Sequence, residues 1–157
     1  MRNSLKLGGK GSAHLFSKTT WKKEKKPKKE KPLKTRCDEK WAYLVKLRAG
    51  FKSELSGEAG KQIGGEIILG SHHIYGKSNY RLRYDLSGGI CINNYSEHIW
   101  GVHNKNNPSL ANEYYNKILA YIGKERKEYL DGLLHFKGKT DLKLVEIYLD
   151  NEIKRHN

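Results

Sequence analysis

Apolar residues in the C-terminal third of the chain recur with the period of an α-helix. Between residues 109 and 122 they follow an i, i+3, i+4 pattern, and Gly123 interrupts it. The members of this stripe are Ala111, Tyr114, Tyr115, Ile118, Leu119 and Ile122. Such a stripe is typical of a helix that packs one face against a core. The same period predicts a second helix over residues 124–134 and a third over residues 140–154.

A further helix is predicted ahead of a loop-rich middle. Asp38 is suited to cap this helix, and Gly50 is placed to end it. Its stripe consists of Trp41, Leu44, Val45 and Arg48. Two short apolar runs, at residues 66–74 and 90–92, are candidate strands, with polar loops before and between them. We therefore predict an α+β fold: a small two-strand core flanked by helices.

The charge of the chain is concentrated near its N-terminus. The 157 residues carry 31 Lys and Arg against 17 Asp and Glu, and residues 1–36 alone hold 13 basic and two acidic residues. This arm has little to bury, so we expect it to be disordered until it meets phosphate. Two roles stay open for it, a nucleic-acid-binding arm and a solubilising tail. The predicted domains are the arm at 1–36, a central domain at 37–134 and a helical extension at 135–157.

Several classes of protein are disfavoured by the sequence. No apolar run approaches the ~18 residues that a membrane span needs, and the N-terminus lacks the apolar core of a signal peptide. Two cysteines, Cys37 and Cys91, do not make a disulfide framework or a CxxC pair. We therefore expect free thiols, a cytoplasmic location and no membrane partner.

Four of the seven histidines fall within residues 72–103: His72, His73, His98 and His103. Imidazole is a common metal ligand and the natural general base near neutral pH. Adjacent strand residues point to opposite faces, which suits one histidine on a metal ion and the other on a water molecule beyond it. His98 and His103 are five apart, which a regular helix puts on different faces, although Gly101 permits a break. A single histidine is more often structural, but four together favour a metal site that faces phosphate.

Three basic residues accompany the histidines. Arg81 and Arg83 alternate along what is predicted to be extended chain, so both can face one side and hold a phosphate backbone. Lys77 is a weaker candidate for the same role. The alternative is a solvated pair of arginines, one of them bridged to Asp85.

A family resemblance is carried by several runs. They are HHIYGK at 72–77, NYRLRYDL at 79–86 and GIC at 89–91, then His98, then His103 ahead of Asn107 and Pro108. Upstream, CDEKW at 37–41 and VKLRAG at 45–50 extend the similarity. Together these residues resemble the phage-type HNH endonucleases over roughly residues 36–134. The resemblance implies a ββα-metal core in which two strands and a helix hold one divalent ion.

The resemblance also implies roles for individual residues. His73 matches the general base that takes a proton from the attacking water, and His72, His98 and His103 match the metal ligands. The implied partner is DNA and the implied reaction is phosphodiester hydrolysis. The ion in such sites is usually Mg²⁺ or Mn²⁺, with Zn²⁺ or Ni²⁺ in some members. The alternative is a degenerate HNH scaffold that binds nucleic acid without cutting it.

The chain departs from the family pattern at three places. Gly88 stands where the family has its middle Asn. Ser53, Ser56 and Asn93 replace cysteines of a structural zinc knuckle, so that zinc is expected to be absent and the 51–65 loop to be held by packing. The separation of His98 and His103 exceeds the four residues of the compact toxin nucleases. Such an insertion can displace one ligand, and His103 is the one expected to stay.

Overall fold

Helices surround a small antiparallel hairpin in the computed structural model, which describes residues 30–60, 62–63, 66–136 and 138–156. The first 29 residues of the predicted arm lie outside the described residues. The helices are α1 (Leu33–Arg48), α2 (Tyr80–Arg83), a 3-10 helix (Leu86–Gly88), a π-helix (Asn94–Val102), α3 (Pro108–Leu134) and α4 (Leu142–His156). The strands are β1 (Gln62–Ile63), β2 (Glu66–Ile67), β3 (Leu69–His73) and β4 (Gly89–Asn93). The α+β class is confirmed.

The hairpin of β3 and β4 is the centre of the fold. The strands pair antiparallel with Ser71 opposite Cys91 and His72 opposite Ile90. All five residues of β4 are buried, and the π-helix follows this strand without a loop. Because successive strand residues alternate between faces, His72 and His73 point to opposite sides of the hairpin. The two histidines therefore lie in different environments, one on each face of the hairpin.

Helix α1 begins earlier than the sequence predicted. It starts at Leu33, directly after Pro32, and Leu33 packs against the core cluster that contains Cys37. Asp38 therefore lies inside the helix rather than at its cap, and the boundary at residue 37 falls within α1. The predicted end is confirmed, since Gly50 adopts a left-handed conformation with φ of 60°.

The last two helices agree with the apolar periodicity. Helix α3 is broken at Gly123, whose φ of 73° and ψ of 174° are not helical, so the predicted division at this residue is confirmed. Helix α4 packs along α1 and buries Leu149 completely. Glu146 of α4 accepts from Arg36 at 2.8 Å and from Lys40 at 2.9 Å, which ties the two helices together. Among the described residues, no helix is both long enough and apolar enough to cross a membrane.

The contact between α1 and β4 requires a glycine at position 89. A Cβ atom there would lie 2.5 Å from Val45 Cγ2 and 2.6 Å from Trp41 Cζ2. We expect Gly89→Ala to lower the free energy of unfolding by about 1–3 kcal/mol through overpacking. Gly132→Ala is the matched control, because a Cβ at Gly132 meets nothing within 4 Å. Urea titration of both variants checks the prediction, and equal midpoints for Gly89→Ala and wild type would contradict it.

Candidate metal centre

Three histidines from two elements converge on one point. His72 comes from β3, whereas His98 and His103 come from the π-helix and its C-cap. Each offers a ring nitrogen, and these nitrogens lie within 4.8 Å of one another. The ring centroid of His72 is 5.1 Å from those of both His98 and His103. This is the ligand set that the sequence predicted, and it can hold a metal ion.

The π-helix explains how a five-residue spacing brings two histidines together. The backbone N–H of His103 donates to the carbonyl oxygen of His98 at 2.9 Å, an i→i+5 hydrogen bond. In an α-helix, residues five apart would lie about 140° apart around the axis. The wider π turn brings the fifth residue closer to the face of the first. The helix therefore does not break at Gly101, and both His98 and His103 stay in the group, so the longer spacing displaces neither of them.

A second residue orients the His98 ring. Nδ1 of His98 lies 3.0 Å from Oδ1 of Asn94, which accepts its proton and leaves Nε2 as the metal-facing nitrogen. Gly70 of β3 lies against this hydrogen bond. A Cβ at Gly70 would be 2.9 Å from the Asn94 oxygen and 3.1 Å from His98 Nδ1. The backbone of β3 therefore packs directly against the hydrogen-bonded pair of Asn94 and His98. No local sequence motif indicated that Asn94 orients a ligand.

The environment of the cluster favours the neutral form of two of its histidines, His72 and His98. Burial, together with the neighbouring histidines and Lys77, lowers the pKa of His72 to about 3. Burial and the same kind of cationic neighbours also lower the pKa of His98. Neutral imidazole is the form that binds a metal ion, because its second nitrogen then carries a free lone pair. The donor set of three imidazole nitrogens therefore fits a divalent ion.

His73 lies on the other face of the hairpin and is not part of the cluster. Its ring stacks on Trp41 with centroids 3.8 Å apart, and the residue is only 8% exposed. Nε2 donates to the carbonyl oxygen of Arg83 at 3.0 Å. Burial lowers the pKa of His73 to about 4, which this hydrogen bond partly opposes. The neutral ring therefore carries its proton on Nε2, and Nδ1 is the basic nitrogen.

The two arginines do not form the predicted phosphate clamp. Residues 80–83 are helical rather than extended, so Arg81 and Arg83 point to different sides of α2. Arg83 is buried, and its guanidinium donates to both carboxylate oxygens of Asp38, at 2.9 and 2.6 Å. Exposed Arg81 lies over the ring of Phe136 at 5.0 Å. Lys77 is exposed, and its charge acts on His72 and His98, so it stays a candidate for phosphate.

A buried carboxylate lies beside the loop that follows α1. Glu97 Oε2 accepts from the Ser53 hydroxyl and from the backbone N–H of Asn93, both at 2.6 Å. The Glu54 carboxylate accepts from the N–H of Cys91 at 2.7 Å. The loop after α1 is therefore held by hydrogen bonds that the buried Glu97 and the partly buried Glu54 accept, not by packing alone. The sequence did not indicate a role for Glu97. One of its partners, Ser53, is distant along the chain and the other is a backbone group, so neither leaves a local pattern.

Gly88 leaves no room for an asparagine. A Cβ there would lie 2.9 Å from the carbonyl oxygen of Leu82, which is a backbone atom. The Gly88 carbonyl instead accepts from the N–H of Ile74 at 3.0 Å. This bond links the residue after β3 to the residue before β4, so the backbone itself closes this end of the hairpin.

Comparison with protein-family models, with curated proteins and with solved structures finds no match to this chain. What the cluster can do therefore follows from its own chemistry. Three imidazoles of this kind hold a divalent ion and leave further coordination positions for water or a phosphate oxygen. Among the described residues, His72, His98 and His103 form the one group of three or more potential metal ligands.

We expect Asn94→Ala to weaken metal binding by about 10- to 100-fold, because the His98 ring loses its orienting partner. Asn94→Asp keeps an acceptor and should bind nearly as wild type does. Asn151→Ala, exposed on α4, is the matched control. Calorimetric titration with Zn²⁺ or Ni²⁺ measures the affinity, and equal affinities for Asn94→Ala and wild type would show that Asn94 does not position the ligand.

Proposed function

We propose that this chain is a metal-dependent DNA endonuclease of the HNH type that hydrolyses phosphodiester bonds. The observation that carries the proposal is the convergence of His72 from a hairpin strand with His98 and His103 from the helix that follows. A hairpin and a helix that share one ion are what the sequence resemblance implies for such a nuclease.

The proposed roles follow from the donors. An ion held by the three histidines would neutralise charge on the scissile phosphate and stabilise the departing 3′ oxygen. Three nitrogen ligands favour Zn²⁺ or Ni²⁺ in binding, whereas Mg²⁺ and Mn²⁺ prefer oxygen ligands. His73 is proposed as the general base, with Nε2 fixed on the Arg83 carbonyl and Nδ1 free to accept the proton of water.

A binding module without cleavage is the second candidate. It is supported by the position of His73, because Trp41 covers its ring and the residue lies on the face of the hairpin away from the cluster. A general base must come within hydrogen-bond reach of the water that it activates. The binding module keeps the metal centre and the DNA partner but lacks this step.

The proposed location is the cytoplasm, the host cytoplasm if a phage encodes the chain. Both cysteines are buried and unpaired, in keeping with a reducing compartment. Burial raises the pKa of Cys91 to about 11, so its thiol stays protonated and unreactive.

Plasmid nicking tests the nuclease directly. The purified full chain is assayed with EDTA, Mg²⁺, Mn²⁺, Ni²⁺ and Zn²⁺ in parallel. We expect cleavage that requires an ion and falls by about 10²- to 10⁴-fold in His73→Ala, which removes the base. His73→Gln keeps a donor for the Arg83 carbonyl and guards against a folding defect. His135→Ala, an exposed histidine outside the cluster, is the matched control.

Each possible result separates the two candidates. Unchanged nicking in both His73 variants would exclude this residue as the base. Loss of nicking in His72→Ala together with loss of bound metal would support the ion's role. No nicking with any ion, beside firm DNA binding in a gel shift, would make the binding module the correct assignment.

The N-terminal arm should strengthen DNA binding through its charge. Residues 1–29 carry ten Lys and Arg and a single Glu. We expect their deletion to weaken DNA binding. The slope of log K against log salt concentration should become shallower by about 0.9 for each phosphate that the arm neutralises. A Gly/Ser arm of equal length is the control. An unchanged slope would make the arm a solubilising tail.

A further inference from the structure

A cavity of about 560 Å³ lies where the end of α2, the second half of α3 and the start of α4 meet. Its volume is within the range of about 300–1,000 Å³ that small-molecule sites occupy. The described residues that line it include neither His73 nor any histidine of the metal centre. The cavity is therefore distinct from the metal centre, and the proposed function does not use it.

Tyrosine side chains form part of the cavity wall. Tyr129 on α3 and Tyr148 on α4 both line it, and each is about half exposed. The Tyr129 hydroxyl donates to Oδ2 of Asp85 at 2.8 Å, and this hydrogen bond raises the pKa of Tyr129. Burial, together with the charges of Glu152 and Asp85, raises the pKa of Tyr148. Two partly exposed rings therefore stand close to one carboxylate in the same wall.

Two cations line the cavity beside the connection between α3 and α4. Lys139 belongs to this connection and is exposed, while Arg81 lies over the ring of Phe136 at 5.0 Å, at the end of α3. A cation–π contact leaves the N–H groups of a guanidinium free to donate. Within the described part of the chain, neither Arg81 nor Lys139 forms an ion pair.

The two acids of the wall accept hydrogen bonds from the protein itself. Asp85 accepts from the N–H of Ser87 at 2.7 Å as well as from Tyr129. Asp141 directly precedes α4 and accepts from the N–H groups of Lys143 and Leu144, at 2.8 and 3.4 Å. The acids therefore have partners within the chain, whereas the charged donors of the wall remain available to a ligand. A ligand that matches this wall combines an anionic group with a planar ring.

We propose that this cavity binds a nucleoside monophosphate, with the phosphate on Arg81 and Lys139 and the base against Tyr129 and Tyr148. Guanidinium and ammonium groups are the usual side-chain donors to phosphate. Bases stack on aromatic side chains because every base offers a π-face. The proposal goes beyond the proposed function and does not rest on it, since neither the metal centre nor cleavage takes part.

Calorimetric titration of the full chain with AMP, adenosine and ribose 5-phosphate tests the proposal. EDTA keeps metal ions off the histidine cluster, which the proposed site does not use, and about 0.2 M salt weakens phosphate binding by the basic arm. We expect AMP to bind more tightly than either of its parts. Arg81→Gln should lose about 3- to 30-fold in affinity for AMP and leave the affinity for adenosine unchanged, because it removes a donor to the phosphate.

A second variant tests the aromatic part of the site. Tyr148→Leu keeps an apolar side chain but removes the ring, so it should weaken AMP and adenosine by about 2- to 10-fold and leave ribose 5-phosphate unchanged. Lys105→Gln and Tyr95→Leu are the matched controls, because both residues are exposed and neither lines the cavity. They should bind AMP as wild type does. Circular dichroism of each variant verifies the fold.

Three results would overturn the proposal. They are an affinity for AMP no higher than that for ribose 5-phosphate, equal losses in Arg81→Gln and Lys105→Gln, and a wild-type dimer that dissociates in Tyr148→Leu. The last would make the cavity part of an interface between two copies of the chain. Plasmid nicking is independent of this test. A chain that nicks DNA but shows no effect of Arg81 on AMP refutes the nucleotide site alone.

Discussion

The histidine cluster depends on a π-helical turn, which the hydrogen bond from the His103 N–H to the His98 carbonyl closes. That bond spans five residues, so it widens the helix and brings the second histidine closer to the face of the first. If the same segment were α-helical, His103 would turn away from His72 by more than a quarter of the circumference. The cost of a rare helix type is offset by side-chain bonds at its start, where Asn93 accepts from the N–H groups of Tyr95 and Ser96. π-Helices often occur at functional sites, in keeping with this position.

The π-helix is held in place by a buried acid. Glu97 accepts two hydrogen bonds of 2.6 Å, one from Ser53 after α1 and one from the Asn93 backbone at the end of β4. A buried carboxylate is unfavourable unless its oxygens are paired, so both partners matter to its stability. The side chain therefore joins the loop, the hairpin and the π-helix.

The sequence predicted what depends on local pattern and missed what depends on distant partners. The break at Gly123 follows from apolar periodicity, whereas the three-histidine set was implied by the family resemblance; both are present. The start of α1 at Leu33 was missed because lysines surround it and only packing onto the core makes it helical. Arg83 was assigned to phosphate because its partner, Asp38, lies 45 residues earlier in the chain. Long-range pairing of this kind leaves no signature in the spacing of neighbouring residues.

Helix α1 determines the surroundings of His73 through two of its residues. Trp41 covers the imidazole ring. Asp38 binds the guanidinium of Arg83, and the backbone carbonyl oxygen of the same arginine accepts from Nε2 of His73. The base candidate and the metal ligands are thus supported by different elements, α1 on one side of β3 and the π-helix on the other. Adjacent residues on one strand can diverge in this way only because the strand places them on opposite faces. Any chemistry that uses both must therefore take place at the end of β3, where His73 pairs with Gly89 and the hairpin closes.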